Sequence, residues 1–377
     1  MNNSHILIFC VLLSIIQGEK VLAESPVLEP VFLTQQNSNL KITDIEPSPL
    51  GLVQLIGHKY KNPKERYFSG LNLASTKIPS EQLESAISLL GDNRILGFGF
   101  NDEERYSMAI SSLTDPKIVS VLEISPQALK NPDPAKSIKF DKFVPVSAIF
   151  LNQIVAFAGQ YGLESIVRFI KLDLSDDSQI TIQSQNIKLD NTQVEGFNQI
   201  YKFDGQSLLV VASLHSTDKN ILGGKSALLV LNSQGMLEKE HVFTSLTYDV
   251  FTNNHTVALA SIIGQMGSFE LKVDVLDRDL NVNKSKSILI NHDFPAQYKF
   301  IDGGKRPLLA VLGLESVEVF NGESGEKLLT FKTQHEITDI IRFLIVDGKS
   351  LLFVNLRSEK GGAPRGAYFE LPSNNLF

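Results

Sequence analysis

Three Asp-Gly turns in this chain sit in nearly the same sequence frame. The segments are Phe203-Asp204-Gly205-Gln206-Ser207-Leu208-Leu209-Val210, Ile301-Asp302-Gly303-Gly304-Lys305-Arg306-Pro307-Leu308-Leu309-Ala310 and Val346-Asp347-Gly348-Lys349-Ser350-Leu351-Leu352-Phe353. In each, one apolar strand enters the turn and another leaves it. A two-residue type I′ hairpin needs positive φ at its central positions, and glycine adopts positive φ without a steric penalty. Asp-Gly between apolar runs therefore predicts an antiparallel hairpin. The same hairpin at a near-constant interval predicts a chain built from repeats.

After residue 40 almost every segment reads as a short strand bounded by turn residues, with period-two alternation as in Ile118-Val119-Ser120-Val121-Leu122-Glu123-Ile124. Only 79–90 carries a helix-start signal, with Glu81 and Glu84 behind Ser80. The first hairpin turn of each repeat falls near Gly51, Asp92, Asn152, Asp204, Asn253, Asp302 and Asp347, at intervals of 41, 60, 52, 49, 49 and 45 residues. A four-stranded propeller blade takes about 40–50 residues. The expected fold is all-β: a seven-bladed β-propeller of four-stranded antiparallel blades, with longer loops in the third and fourth. A sandwich has no reason to repeat at this interval, and solenoid rungs are shorter. Strands A to D read as 85–90, 95–100, 106–113 and 118–124 in the second unit, and as 297–301, 308–312, 316–320 and 328–332 in the sixth. Polar C-to-D turns recur, among them Asn232-Ser233-Gln234-Gly235, Asp277-Arg278-Asp279 and Asn321-Gly322-Glu323-Ser324-Gly325. The seventh unit lacks a D strand. Val31-Phe32-Leu33-Thr34, which belongs to no other hairpin, is its expected donor and would close the ring.

The chain has 377 residues and 43% hydrophobic content, enough to bury a large core. Its net charge of −7, with no long basic run, argues against nucleic acid or an anionic membrane as partner. Residues 6–16 are apolar apart from Ser14, a run of 11 that is too short to span a bilayer comfortably. With Val21-Leu22-Ala23 behind it, this N-terminus reads as a secretory signal peptide over 1–23, although no Lys or Arg precedes the apolar run. An uncleaved anchor is the alternative. The division is then 1–23 signal peptide, 24–41 a segment with the ring-closing strand, and 42–377 the propeller, placed in the periplasm or outside the cell. Cys10 is the only cysteine, so cleavage leaves no disulfide, thiol nucleophile or cysteine ligand.

Two stretches resemble known propeller blades: Phe300-Ile301-Asp302-Gly303-Gly304-Lys305-Arg306-Pro307-Leu308-Leu309-Ala310-Val311 and Val317-Glu318-Val319-Phe320-Asn321-Gly322-Glu323-Ser324-Gly325-Glu326-Lys327-Leu328-Leu329. They are similar to FG-GAP or VCBS-like blades, and also to PQQ-like and YVTN-like bacterial blades. The resemblance implies fold alone. Each turn keeps a single Asp or Asn where the calcium-binding FG-GAP loop has several carboxylates. The chain has no tryptophan, so the Trp-based blade signatures are missing.

Candidate functional residues fall into two groups. Asp44, Asn198, Asp249, Gln297 and Asp339 recur near the starts of A strands, where they would ring the mouth of a central channel. Such a ring could hold calcium or a ligand cation, although one carboxylate per blade is few for calcium, and no other cofactor is expected. Lys61, Arg66, Glu104, Tyr161, His215, Arg357 and Lys360 are expected on the B-to-C loops, a face able to dock a partner. Histidines His58, His215, His292 and His335 also fall near that face, with no two at ligand spacing. No Gly-x-Ser-x-Gly elbow or phosphate loop occurs. The reading is an exported, monomeric, non-catalytic module that binds a protein or an envelope component. The alternative is a lactonase-like propeller hydrolase working through channel carboxylates and a divalent cation.

Overall fold

The computed structural model describes residues 25–33, 40–47, 53–59, 62–70, 76–77, 85–90, 94–100, 106–112, 118–123, 143–151, 154–161, 164–172, 180–186, 194–214, 225–243, 247–253, 255–265, 268–289, 297–313, 316–357 and 362–372. The short strand β1 (Val31–Phe32) comes first. Five four-stranded sheets follow in chain order. They are β2 (Leu40–Pro47), β3 (Val53–Lys59), β4 (Asn62–Gly70) and β5 (Thr76–Lys77); then β6 (Ser85–Leu90), β7 (Arg94–Phe100), β8 (Tyr106–Ser112) and β9 (Ile118–Glu123). Next come β10 (Phe143–Leu151), β11 (Ile154–Tyr161), β12 (Glu164–Leu172) and β13 (Ile180–Asn186); then β14 (Val194–Lys202), β15 (Ser207–Leu214), β16 (Lys225–Asn232) and β17 (Leu237–Phe243). The fifth holds β18 (Thr247–Thr252), β19 (Val257–Gln265), β20 (Ser268–Leu276) and β21 (Val282–Leu289). The remaining strands are β22 (Gln297–Asp302), β23 (Leu308–Leu312), β24 (Ser316–Asn321), β25 (Lys327–Lys332), β26 (Glu336–Val346), β27 (Lys349–Arg357) and β28 (Arg365–Leu371). With β1 they form one eight-stranded sheet, ordered β1-β28-β27-β26-β22-β23-β24-β25. Within each four-stranded sheet the chain runs as an antiparallel meander. Among the described residues the one parallel strand pair is β22 with β26, at Ile301–Phe343 and Asp302–Leu344.

The expected strands appear almost as read, and 85–90 is strand, not helix. Their apolar runs are continuous because the sheets are covered on both faces. On β15, Leu208, Val210 and Ala212 pack toward Ala156 of β11, while Leu209 and Val211 pack toward Val257 and Leu259 of β19. Each fully buried aliphatic side chain of this kind contributes roughly 1.5–3 kcal/mol. The next layer joins Leu271 and Val273 to Phe300 and Phe320, and continues to Phe331, Phe343 and Phe369. Ile42 and Ile45 of β2 pack with Leu344, Leu351 and Phe353, so the first sheet meets the last.

Only one of the three Asp-Gly turns has the expected type I′ backbone. Asp347 and Gly348 have φ of 49° and 76°. Gly303 is at 75° without Asp302, and neither Asp204 nor Gly205 is positive. At 204 the side chain governs the turn: its Oδ1 accepts the N–H groups of Gln206 (2.8 Å) and Ser207 (2.6 Å). The same side-chain turn shapes the C-to-D corners. Asn232 and Asp277 each accept the amides two and four residues on, and Asn321 accepts those two and three on. Each corner then has a left-handed residue, Gly235, Leu280 or Gly325, beside a β-bulge.

Strand tips reach further than expected. Lys59 pairs with Asn62, Tyr161 with Glu164 and Gln265 with Ser268. Arg66 therefore lies within β4, Tyr161 ends β11 and Arg357 ends β27, where the sequence suggested loops.

The N-terminal segment ties two sheet edges together. Val31 and Phe32 pair with Tyr368 and Ala367 of β28, and Leu33 N–H donates to Gly366 O at 3.0 Å. Upstream, Leu28 N–H donates to Lys332 O (2.9 Å) and Lys332 N–H to Pro26 O (3.0 Å) on β25. Between these contacts Pro30 has no N–H with which to continue a ladder. The Phe32 ring lies under the Arg365 guanidinium (4.2 Å) and edge-on to His335 (5.5 Å). Beside it the backbone of Gly366 meets Ile42 so closely that a Cβ would lie 1.8 Å from Ile42 Cδ1. Gly366→Ala is expected to destabilise by about 1–3 kcal/mol through overpacking, and Phe32→Ala by a similar amount through lost ring contacts. Thermal unfolding followed by circular dichroism should show both melting several degrees low; wild-type melting of either would contradict this packing.

Candidate functional site

The first strands of successive sheets pack against one another: β6 on β10, β10 on β14, β14 on β18, β18 on β22, β22 on β26 and β26 on β2. A bulge recurs in these strands, leaving one residue unpaired at Thr43, Val146, Tyr248 and Thr338. The residues that follow are Asp44, Ser147, Asp249 and Asp339. β14 skips both Glu195 and Asn198, so Gln199 occupies the position that the sequence assigned to Asn198. β22 carries no bulge, and its Gln297 pairs directly with Leu312.

Of the five residues expected at the channel mouth, the structure brings Gln297 and Asp339 together. Gln297 Nε2 donates to Thr338 O (3.1 Å) and Asp339 Oδ1 (3.4 Å), and its Oε1 accepts the Ile340 N–H. Lys41 Nζ lies 3.1 Å from Asp339 Oδ2. Asn355, wholly buried on β27, donates to Ile42 O (2.8 Å) and Asp339 Oδ2 (3.4 Å) and accepts the Ile42 N–H (3.1 Å). This cluster fastens β22, β26, β27 and β2 to one another. The backbone of Asp44 lies in β2 opposite Ile56.

Asp249 belongs to a second group. Its Oδ2 accepts the Phe300 N–H at 2.6 Å, and its Oδ1 accepts the Tyr201 hydroxyl at 3.3 Å, with Lys299 Nζ at 3.5 Å. Gln199 Oε1, at 2.7 Å, is the nearer of the two acceptors that share the single Tyr201 proton. On the next strands Arg342 Nη1 pairs with Asp302 Oδ2 at 2.7 Å. Burial, reinforced by the Asp249 and Asp302 charges, holds the Tyr201 phenol well above its ordinary pKa. Burial also raises the Asp302 pKa, against the pull of Arg342. About 42% of the Asp302 side chain is accessible. Tyr201, Lys299, Arg342 and Asn355 were not singled out in the sequence, and Asp302 was read there only as a turn residue; apart from Asn355, on β27, their signal is the repeated placement of polar residues on consecutive first strands.

Chemically, this arrangement cross-links sheets. Asp249 already accepts a backbone amide of the next sheet, Gln297 accepts one of β26, and Asp339 faces an ammonium. Calcium asks for six to eight oxygens. Among the described residues, no group of three or more His, Cys, Asp or Glu side chains could hold a metal ion. Of the histidines, His335 packs on Phe32, His241 lies 4.4 Å from the Phe243 ring, and His255 is exposed.

Among the expected docking residues, Arg357 is engaged within its own sheet. Its guanidinium reaches both oxygens of Glu336 (3.2 and 3.3 Å) and donates to Gly362 O (3.0 Å). Lys61, Glu104, His215 and Lys360 lie outside the described residues, as does His292. Arg66 and Tyr161 have strand positions, on β4 and β11.

No protein-family model matches the sequence, and no curated protein matches it. Solved structures do match. BBS1N, in a structure with ARL6DN, superposes with a TM-score of 0.56 at 11% identity, over 93% of this chain and 100% of that one. A chain of the mitotic checkpoint complex gives 0.54 at 9% identity, over 93% and 95%. The AfRom2 CNH domain gives 0.50 at 11%, over 91% and 99%. The shared feature is the fold, and the chain is a β-propeller protein. Among the described residues, no helix is long and apolar enough to cross a membrane.

Asp302 and Asp204, shifted in opposite directions, give opposite pH signatures. Asp302 binds its proton more tightly folded than unfolded. Its contribution is fully present below the free-aspartate pKa of about 3.9 and is lost as pH rises through the higher folded value. Asp204 is lowered: burial would raise it, but the Gln206 and Ser207 hydrogen bonds and Arg278 outweigh that. Its contribution is present above the unfolded pKa and is lost as pH falls through the folded one. The melting temperature of Asp302→Asn should therefore gain on wild type with rising pH, while Asp204→Ala should fall further behind. Melts across the carboxylate range check this, and parallel profiles would contradict the assignment.

Proposed function

We propose that this chain is an exported, seven-bladed β-propeller, closed by its N-terminal strand, that acts as a non-catalytic module. Its occupant is a protein partner or an envelope component, bound on the face formed by the B-to-C and D-to-A loops. One observation carries the reading. The polar side chains at Asp249, Gln297, Asp339 and Asn355 are engaged in the scaffold: Asp249, Asp339 and Asn355 reach a neighbouring sheet, and Gln297 ties β22 to β26. Recognition then falls to the loops, which vary in length and charge while the scaffold repeats.

The blade count draws on the seven turns of the sequence and on the strand order. Cutting the eight-stranded sheet at its single parallel pair leaves β22–β25 and the set β26, β27, β28 and β1, two further groups of four. In this reading β1 supplies the outer strand of the seventh blade and joins the two chain ends. The apolar run at 6–16 and Val21-Leu22-Ala23 support export with cleavage. Two of the matched structures, by their titles, come from complexes: BBS1N with ARL6DN, and the mitotic checkpoint complex. This is consistent with a binding role on the same fold, by analogy alone.

Two charge-reversed forms separate the faces. Lys61→Glu with Lys360→Glu alters the proposed docking face. Lys305→Glu with Arg306→Glu alters exposed cations on the A-to-B turns at the other end of the strands. Each form, immobilised after its fold is checked by circular dichroism, is offered extracellular and envelope fractions of the source cells, and captured proteins are quantified by mass spectrometry. The loop-face form is expected to retain about a tenth or less of a wild-type partner, in the range of charge-pair losses at interfaces; the turn-face form should retain all of it. Equal capture by both forms, or loss confined to the turn-face form, would overturn the assignment.

A further inference from the structure

Three of the buried polar residues, Ser226, Ser261 and Asp274, belong to one contact, between the β14–β17 and β18–β21 sheets. One part of that contact is apolar, with Leu209, Leu228 and Val230 against Val257, Leu259 and Leu276. Side chains alternate along a strand, so the same faces can be followed outward from these residues. Leu228 places Ser226 toward the neighbouring sheet, Leu259 does so for Ser261, and Leu276 for Asp274 and Lys272. On β17, Phe243 brings His241 to the same side, and the two rings lie 4.4 Å apart. The layer thus changes from aliphatic to polar toward the loop face.

Asp274 is the anomaly in this layer. It is 1% exposed. Its Oδ2 takes the Lys272 ammonium at 2.8 Å. Its Oδ1 is buried and has no hydrogen-bond donor among the described residues. A buried acceptor left without a donor costs on the order of 1–3 kcal/mol, more when charged. Apolar close packing would have favoured a leucine here, as at Leu276 two residues on.

We infer that this contact encloses a small polar site in which Asp274 Oδ1 is hydrogen-bonded by one ordered water molecule. The chemistry selects a neutral donor over an ion. Lys272 already neutralises the carboxylate, so a second cation would face its ammonium at close range. Strand alternation puts the hydroxyls of Ser226 and Ser261 and the imidazole of His241 in the same layer, and each can accept from or donate to water. A buried water needs two to four polar partners, which a layer of this composition can provide. The water then acts as a bridge within an otherwise dry stack.

Two measurements test this on the full chain. A crystal structure at high resolution is expected to show a buried solvent peak about 2.6–3.2 Å from Asp274 Oδ1. A dry contact, or a protein side chain donating to that oxygen, would overturn the inference. Thermal melts of Asp274→Asn and Asp274→Leu give the second readout. The Asn form keeps an acceptor oxygen for the water and should melt close to wild type, while the Leu form should melt several degrees lower. A Leu form that melts at or above wild type would mean that the oxygen has no partner, and would overturn the inference as well.

Discussion

A β-sheet covered on both faces has no stable existence alone, and that constraint organises this molecule. β15 illustrates it: alternate residues serve two different neighbours, Ala156 on one side and Leu259 on the other. Removing either neighbour would expose one apolar face of the strand. Apolar layers are also nondirectional and do little to fix how far one sheet slides along the next. Directional bonds to the backbone of the first strands supply that restraint. Asp249 takes the Phe300 N–H, Gln297 takes the Ile340 N–H, and Asn355 exchanges two bonds with Ile42. The Asp249 and Asn355 bonds reach from one sheet to the backbone of the next, and the Gln297 bond ties β22 to β26 inside the eight-stranded sheet.

The contact between the last sheet and the first carries an extra demand, because no peptide linkage between neighbouring strands holds it. Asn355 and Ile42 are 313 residues apart in sequence. Ordering such a long-range contact carries a large loop-closure cost before any contact is gained. Several features offset it at one place. Ile42 packs onto Gly366, where no larger residue fits, and Asn355 satisfies both backbone groups of Ile42. Phe32, held by Arg365 and His335, brings the N-terminal segment onto the edge of β28. The segment's backbone bonds to Lys332 and Gly366 also cover parts of two open sheet edges, which would otherwise present unpaired N–H and C=O groups.

Much of this architecture was legible because its signals are local. Turn residues and apolar runs located the strands of the second and sixth units to within a residue or two, and the C-to-D corners at Asn232, Asp277 and Asn321 behave alike because each uses its own side chain. Turn class was less legible. Asp204-Gly205 and Asp347-Gly348 look alike, yet a carboxylate accepting two amides draws the first into a different backbone. The candidate site was legible only as a list of polar residues at strand starts. Whether Asp249 meets a ligand or the Phe300 amide depends on a neighbour 51 residues away. A single bulge residue was enough to exchange Asn198 for Gln199. Tyr201, Lys299 and Arg342 went unnoticed, and Asp302 was read only as a turn residue, because their pairing joins strands far apart in sequence.

The location of the polar interior bears on what the surface can do. A substitution at Asp249 or Asn355 removes a bond that positions a whole sheet, so these residues cannot vary freely to suit a ligand. Arg357 shows the same restriction near the loop face, since replacing it with an acid would set two carboxylates against each other at Glu336. The connections between strands carry fewer such obligations: a loop that changes length or charge leaves the inter-sheet bonds intact. Recognition by loops on a fixed stack is therefore the arrangement that lets specificity change without disturbing the register on which stability depends.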